Sequence, residues 1–207
     1  MILYAVASLI ALWKYKYYKD TALKYFIVFL FFALFIEWMG LYIGKKYGSN
    51  ALLYNIYYLF YFFYIIYLFK EAVHFSKFKK YISICLCFFF VVYIYSMFTI
   101  DFTKKITTWS YVTGGLFSII AIVFYYLDLL KSDRVITIKS NTLFWISLGF
   151  LLFFVGYIPI KIIKNGIYNL QLIQSYNLLH RTLIIIMNLC FIVGFLIAKP
   201  KLSQSQL

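Results

Sequence analysis

The sequence predicts an all-α fold, a polytopic transmembrane helix bundle with about seven spans. Of the 207 residues, 65% are hydrophobic, and the mean hydropathy is +0.89, well above the level of a soluble domain. The apolar residues form seven runs, separated by short segments that hold most of the 20 basic residues. A soluble domain of this length could not cover so much apolar surface, so we expect lipid as the solvent. We expect residues 1–207 to form a single transmembrane helical domain.

Each predicted span is an apolar run judged against the ~20 residues that a helix needs to cross a bilayer. The first run is short. It can cross only if Tyr15, Tyr17 and Tyr18 lie at the interface while Lys14 and Lys16 extend towards water. In chain order, the predicted spans are Ile2–Trp13, Tyr25–Ile43, Leu52–Phe69, Tyr81–Phe98, Trp109–Leu130, Thr142–Tyr157 and Leu178–Ala198.

The basic residues predict the orientation of the bundle. Thirteen of them lie in the segments on one side, from Lys14 to Lys24, from Lys70 to Lys80, from Lys131 to Lys139, and in the tail from Lys199. The remaining seven lie on the other side. Because cytoplasmic loops carry the excess of Lys and Arg, the N-terminus is expected outside and the C-terminus in the cytoplasm. The location that fits is a bacterial inner membrane.

The longest segment between predicted spans, Ile158–Asn177, is expected on the outer side. Ile167, Leu170 and Ile173 follow helical spacing, which is typical of a short helix lying on the membrane surface, but an ordered loop fits equally well. Pro159 is interpreted as the end of the sixth span.

Composition and motifs argue against several classes of function. The formal charge of +14 would suggest a nucleic-acid partner in a soluble chain, but here the lysines lie between spans, where they set topology and contact lipid. The three cysteines and two histidines show no metal-ligand spacing. The last span has no lysine for a retinal, and no nucleophile is paired with a base. We therefore expect no enzyme, no metal, no cofactor and no nucleic-acid partner.

Glu37 is the acidic residue well inside a predicted span, and it shares a helix face with Ala33, Gly40 and Gly44. Small residues on that face would let another helix approach closely. A charged carboxylate at mid-membrane costs about 2.5–3.5 kcal/mol, so Glu37 is expected to face the interior of the bundle.

Other polar residues are expected at a similar depth. Asn55 and Tyr58 share a stripe on the third span, Ser110 belongs to a small and polar face of the fifth, and Asn177, Arg181 and Asn188 share a face of the last. One interpretation is an outward-facing polar pocket, with Glu37 at its floor and Arg181 at its mouth. The ligand-binding residues would be Glu37, Asn55, Tyr58, Ser110, Asn188 and Arg181. The alternative is that the polar side chains only hydrogen-bond helices together.

Two classes of function fit this arrangement. A ligand-sensing or accessory membrane protein would bind something at its outer face and signal through a protein partner or a second copy in the membrane. A small-solute or ion transporter or channel subunit would use Glu37 for coupling or selectivity, although the cytoplasmic halves of the spans are almost wholly apolar. A membrane effector of a defence system is a third alternative. Membrane lipids are expected partners in every case.

Five segments carry a resemblance to a known family: FFALFIEWMGLYIG, ALLYNIYYLFYFFY, YVTGGLFSIIAIVFYYLDLL, FWISLGFLLFFVGY and LIIIMNLCFIVGFLIA. From Tyr25 to about Ala198, the chain resembles a widespread group of uncharacterised small bacterial seven-helix membrane proteins, which are similar to sensor modules. The resemblance implies the bundle and the polar positions Glu37, Asn55 and Asn188. The family often has a second Glu after the third-span Asn, where this chain has Leu59, Phe60 and Tyr61.

Overall fold

A computed structural model describes residues 2–131, 140–164 and 170–198 of the chain. These residues form an all-α fold, which confirms the predicted fold class. The helices are α1 (Ile2–Trp13), α2 (Tyr15–Tyr18), α3 (Phe26–Tyr47), α4 (Ala51–Ala72), α5 (Ser76–Thr99), α6 (Thr108–Leu130), α7 (Thr142–Lys164) and α8 (Leu170–Ile197), with a 3₁₀ turn at Ala22–Tyr25.

Within the described residues, six helices are long and apolar enough to cross a membrane: α3 to α8. They match the second to seventh predicted spans, except that Tyr25 and Ala198 lie one residue outside α3 and α8. The first predicted span forms α1, whose 12 residues give a helix only about 18 Å long. The hydrocarbon core is about 30 Å thick. The full crossing of α1 therefore stays a prediction.

The segment between the last two predicted spans differs from the interpretation of the sequence. Helix α7 continues to Lys164, and Pro159 lies inside it rather than at its end. Proline is tolerated there because nearby groups in a helix bundle can satisfy the freed carbonyl. Helix α8 already begins at Leu170, so Leu170 and Ile173 belong to its first turns rather than to a separate surface helix. Ile167 lies outside the described residues.

Aromatic side chains fill the centre of the bundle. The ring of Phe26, fully buried at the start of α3, lies 5.4 Å from that of Phe191 and 6.1 Å from that of Phe150. Phe150 and Phe191 join α7 to α8, with ring centroids 5.0 Å apart. Helix α1 packs against α8 and α3, so its short apolar run is part of the core despite its length.

Glycines allow close contacts between helices. A Cβ atom on Gly114 of α6 would lie 2.4 Å from the ring of Phe62 in α4. A Cβ on Gly149 of α7 would lie 3.0 Å from the carbonyl oxygen of Met187 in α8. These glycines therefore let α4 approach α6, and α7 approach α8, more closely than any larger residue would allow.

The turn between α4 and α5 is held by a carboxylate from α6. Asp128, only 1% exposed, accepts hydrogen bonds through Oδ1 from the backbone N–H groups of His74 and Phe75, both at 2.9 Å. Its Oδ2 lies 3.5 Å from Nδ1 of His74. Asp128 thus binds the segment that leads into α5, and it fixes that end of the bundle to α6.

Candidate functional site

Glu37 lies on α3 beside a close contact with α4. The hydroxyl of Tyr54 donates a hydrogen bond to Oε2 of Glu37 at 3.4 Å. Gly40 makes room for it, because a Cβ at that position would lie 2.6 Å from the Tyr54 hydroxyl oxygen. Asn50 reinforces the junction by donating from Nδ2 to the carbonyl oxygen of Gly40 at 3.0 Å. Because Ala33 and Gly40 are buried and Glu37 is half-buried, this face of α3 looks into the bundle, as predicted.

Further tyrosines lie in the neighbourhood of the carboxyl group. Tyr54 donates to it, and Tyr4, Tyr57, Tyr58 and Tyr61 lie close enough to interact with it electrostatically. Four of the five come from the first three turns of α4. Tyr4 comes from the short helix α1. We call this set the Glu37–tyrosine cluster: Glu37, Tyr4, Tyr54, Tyr57, Tyr58 and Tyr61.

A row of rings leads from this cluster across the bundle. The ring of Tyr58 lies 4.9 Å from that of Tyr111 on α6, which lies 5.4 Å from that of Tyr157 on α7. Tyr157 stacks on His180 of α8, with ring centroids 4.0 Å apart and planes inclined by 21°. Lys161 places its Nζ atom 5.5 Å from the centre of the Tyr111 ring. The row therefore has the Glu37 carboxyl near one end and two basic residues near the other.

The structure brings Tyr58 to Glu37 but gives Asn55 another role. The Nδ2 atom of Asn55 donates to the carbonyl oxygens of Phe102 and Lys105, at 2.8 and 2.9 Å. Its Oδ1 accepts from the backbone N–H of Thr107 at 2.9 Å, and its own carbonyl accepts from the Tyr93 hydroxyl at 3.0 Å. Asn55 therefore binds the loop between α5 and α6. The interpretation that it helps to hold helices together fits it better than a place in the pocket.

Asn188 and Ser110 are fully buried, but their surroundings differ. Asn188 donates from Nδ2 to the carbonyl of Ile184 in its own helix at 2.8 Å, and its amide lies beside the Tyr4 hydroxyl. This contact joins Asn188 to the Glu37–tyrosine cluster. Among the described residues, neither Asn188 Oδ1 nor Ser110 Oγ has a hydrogen-bond partner. Both could therefore accept a further hydrogen bond.

The place of Arg181 at the mouth of a pocket stays a prediction. Its side chain is exposed, and no described carboxylate lies within ion-pair distance of it. The residue that turns inwards is His180, one position earlier and half-buried against Tyr157. A shift of one residue rotates a side chain by about 100° around a helix, and this separates the two positions.

The arrangement offers several kinds of group that could contact a ligand. A carboxyl group and several phenols offer hydrogen-bond acceptors, donors and ring faces. In the part of the chain that the structure describes, no group of three or more His, Cys, Asp or Glu side chains could hold a metal ion.

No family model matches the chain, and no curated protein or solved structure is significantly similar to it. The resemblance to a family of seven-helix bacterial membrane proteins therefore stays a prediction.

Several members of the site were missed in the sequence. Tyr4, Tyr111 and Tyr157 are three of 22 tyrosines, and nothing in their local spacing distinguishes them from the rest. The sequence does not distinguish His180 and Lys161 from the other basic residues near the ends of the predicted spans. A usable signal was present on α4, where Tyr54, Tyr58 and Tyr61 fall four and three residues apart and so share one helix face.

Proposed function

We propose that this chain is a multi-pass membrane protein that binds a small ligand at the Glu37–tyrosine cluster, and that it acts as a sensor or accessory subunit. One observation carries the proposal. Glu37 faces the interior of the bundle with a single long hydrogen bond from Tyr54, and no basic side chain of the described residues lies within ion-pair distance. A carboxyl group that served only to hold helices together would be expected to have closer partners.

The chemistry of the site favours a ligand that carries an amine. A carboxylate at membrane depth is unfavourable by about 2.5–3.5 kcal/mol, and an ammonium group beside Glu37 would offset that cost. Tyrosine ring faces also attract cations, by about 0.5–2 kcal/mol each. The hydroxyls of Tyr54 and Tyr58 would supply hydrogen bonds to other polar atoms of the ligand.

The proposed location is a bacterial inner membrane, with the N-terminus outside and the C-terminus in the cytoplasm. The unequal distribution of the basic residues supports this orientation. Asn50 and Tyr54, at the start of α4, then lie in the outer half of the bundle, as do Lys161 and His180. A ligand would therefore enter from the outer side.

Transport of a small solute is a second candidate, favoured by Pro159. This proline lies inside α7, two residues after Tyr157, so one backbone hydrogen bond of the helix is missing beside the row of rings. Interrupted helices next to a central site are typical of transporters. Uptake of a labelled amine into proteoliposomes would distinguish transport from binding alone.

Reaction with a hydrophobic carbodiimide tests the binding site without knowledge of the ligand. The reagent adds to carboxyl groups that it can reach in an apolar environment. We expect a single mass adduct at Glu37, located by peptide mass spectrometry and absent from Glu37→Gln. Small amines are then tested one by one as competitors of the reagent. An amine that binds at the site should protect Glu37 from labelling. It should also raise the melting temperature of the parent but not of Glu37→Gln.

Tyr58→Phe and Tyr95→Phe provide a matched pair of variants. Tyr58 belongs to the cluster, whereas Tyr95 is 68% exposed on α5. Protection by the amine should weaken in Tyr58→Phe and stay unchanged in Tyr95→Phe. If Glu37 does not react while the protein is folded, or if no amine protects it, the side chain only holds helices together and the proposal fails.

A further inference from the structure

A groove runs along the surface between the first half of α3 and the second half of α4. It consists of two neighbouring cavities of about 450 and 470 Å³, and Tyr25, Phe63 and Tyr64 line both of them. It lies at the opposite end of the helix pair from the junction of Gly40 with Tyr54.

The two halves of the groove differ in polarity. Apart from the three shared residues, Val28, Phe29, Phe32 and Phe60 line one half. The other half, near the helix ends, has Thr21, Lys24, Tyr67 and Glu71. The groove is therefore apolar along most of its length and charged at one end.

Its length matches one leaflet of a bilayer. Lys24 and Phe32 are eight residues apart, and Phe60 and Glu71 are 11 apart. At a rise of 1.5 Å per residue, the groove extends about 12–17 Å from its charged end. Half of the hydrocarbon core is about 15 Å thick. The charged end thus falls at the level of the lipid headgroups when the apolar end reaches the middle of the bilayer.

The charged end offers one group of each sign. Lys24 and Glu71 are both exposed, and within the described residues neither belongs to an ion pair. Lys24 holds its Nζ atom 4.8 Å from the centre of the Tyr25 ring. The Tyr64 hydroxyl is buried with no hydrogen-bond partner among the described residues, and Tyr64 lines both halves. A molecule with an apolar chain, an anionic group and a cationic group would complement all of these features.

We propose that the groove binds a phospholipid whose zwitterionic headgroup ends in a primary ammonium. Lys24 contacts the phosphate, Glu71 contacts the ammonium, and an acyl chain lies over Phe29, Phe32 and Phe60. A purely anionic lipid would leave Glu71 beside a like charge. The headgroup is therefore selected by charge complementarity and the chain by apolar contact. This site is separate from Glu37 and does not depend on it.

Native mass spectrometry of the full chain in mild detergent tests the proposal. The protein is incubated with equal amounts of phosphatidylethanolamine and phosphatidylglycerol, and the lipids that remain bound are counted. We expect the parent to retain phosphatidylethanolamine preferentially. Glu71→Gln should reduce that preference about five-fold, as expected for the loss of one exposed ion pair.

A second pair of variants tests the apolar half. Val28→Trp fills it, whereas Val91→Trp adds the same side chain on α5 outside the groove. The two valines are 62% and 63% exposed, so both variants should fold. We expect Val28→Trp to lose the bound lipid and Val91→Trp to retain it. Glu37→Gln should also retain it.

Several results would overturn the proposal. Equal retention of the two lipids by the parent excludes the headgroup assignment. Equal retention by Val28→Trp and Val91→Trp excludes the groove. If the parent is a lipid-free dimer that Val28→Trp dissociates, a second copy of the chain occupies the groove instead.

Discussion

Replacing Asn55 with leucine should release the loop between α5 and α6 from α4. The variant loses two hydrogen bonds from Nδ2, to Phe102 and Lys105, and one accepted by Oδ1 from the Thr107 N–H, all between 2.8 and 2.9 Å. Hydrogen bonds inside membrane proteins contribute about 0.6 kcal/mol on average and up to about 1.7. The bond from Thr107 is buried and the other two are partly buried, so the contribution of each bond lies between these two values. Three of them give an expected loss of about 2–3 kcal/mol.

The free energy of unfolding can be measured by titrating the protein in mixed micelles with a denaturing detergent and following the helical signal. Asn50→Leu is the matched control. That asparagine is half-buried and makes one side-chain hydrogen bond, to Gly40, so its loss should be about 1 kcal/mol or less. Asn55→Asp should be as destabilised as Asn55→Leu or more, because a carboxylate would face the two carbonyl oxygens.

Equal losses for Asn55→Leu and Asn50→Leu, within about 0.5 kcal/mol, would refute the reasoning. The loop would then be held by its own turn and by packing, and the four-way contact of Asn55 would be incidental. A loss confined to Asn55→Asp would point to charge repulsion rather than to missing hydrogen bonds.

Three other predictions concern the ends and contacts of the helices. In the same titration, the free energy of unfolding of Asp128→Ala should be about 2 kcal/mol lower than that of Asp128→Asn, since asparagine keeps an acceptor for the two backbone N–H groups. Equal free energies would show that these hydrogen bonds do not stabilise the turn. Gly114→Ala should lower the free energy of unfolding by about 1–3 kcal/mol, because the new methyl group meets the Phe62 ring. In the double variant with Phe62→Leu, the free energy of unfolding should fall by less than the sum of the two single effects. Strict additivity would show that the two residues do not compete for space. The last prediction uses a background in which alanine replaces the native cysteines. Ser49→Cys should react with an impermeant maleimide on intact cells, and Ser76→Cys should react only after lysis. The reverse pattern would show that the orientation in the membrane is opposite to the predicted one.

The sequence was sufficient to predict the helices and several of their inward faces. Apolar runs close to the length of a bilayer crossing mark helices whatever their neighbours are. The stripe from Ala33 to Gly44 predicted the side of α3 that packs closely, and all six residues of the small and polar face of α6 are buried: Ser110, Gly114, Ser118, Ala121, Tyr125 and Asp128. Small side chains are informative because they limit how near a second helix can come.

The sequence was not sufficient to predict the partners of the polar side chains. The loop groups that bind Asn55 lie 47 to 52 residues further along the chain, and their direction depends on how the loop folds. The difference between His180 and Arg181 depends on the rotation of α8 about its axis, which packing against α7 determines. The contribution of Tyr4 could not be found because α1 is short, and its contacts with α3 and α8 are long-range.

The anchors at Asn55 and Asp128 have a consequence for how the protein could respond to a ligand. Helix α4 holds the connection between α5 and α6 at one end of the bundle, and α6 holds the connection between α4 and α5 at the other. Three consecutive helices are thus cross-tied at both ends, and we expect them to move as one rigid body. Glu37 and Tyr4 lie on helices outside that body, while the other tyrosines of the cluster lie on α4. A ligand bound between these helices would change the distance of α1 and α3 from α4. The displacement of α1 and α3 would then pass any signal to a partner.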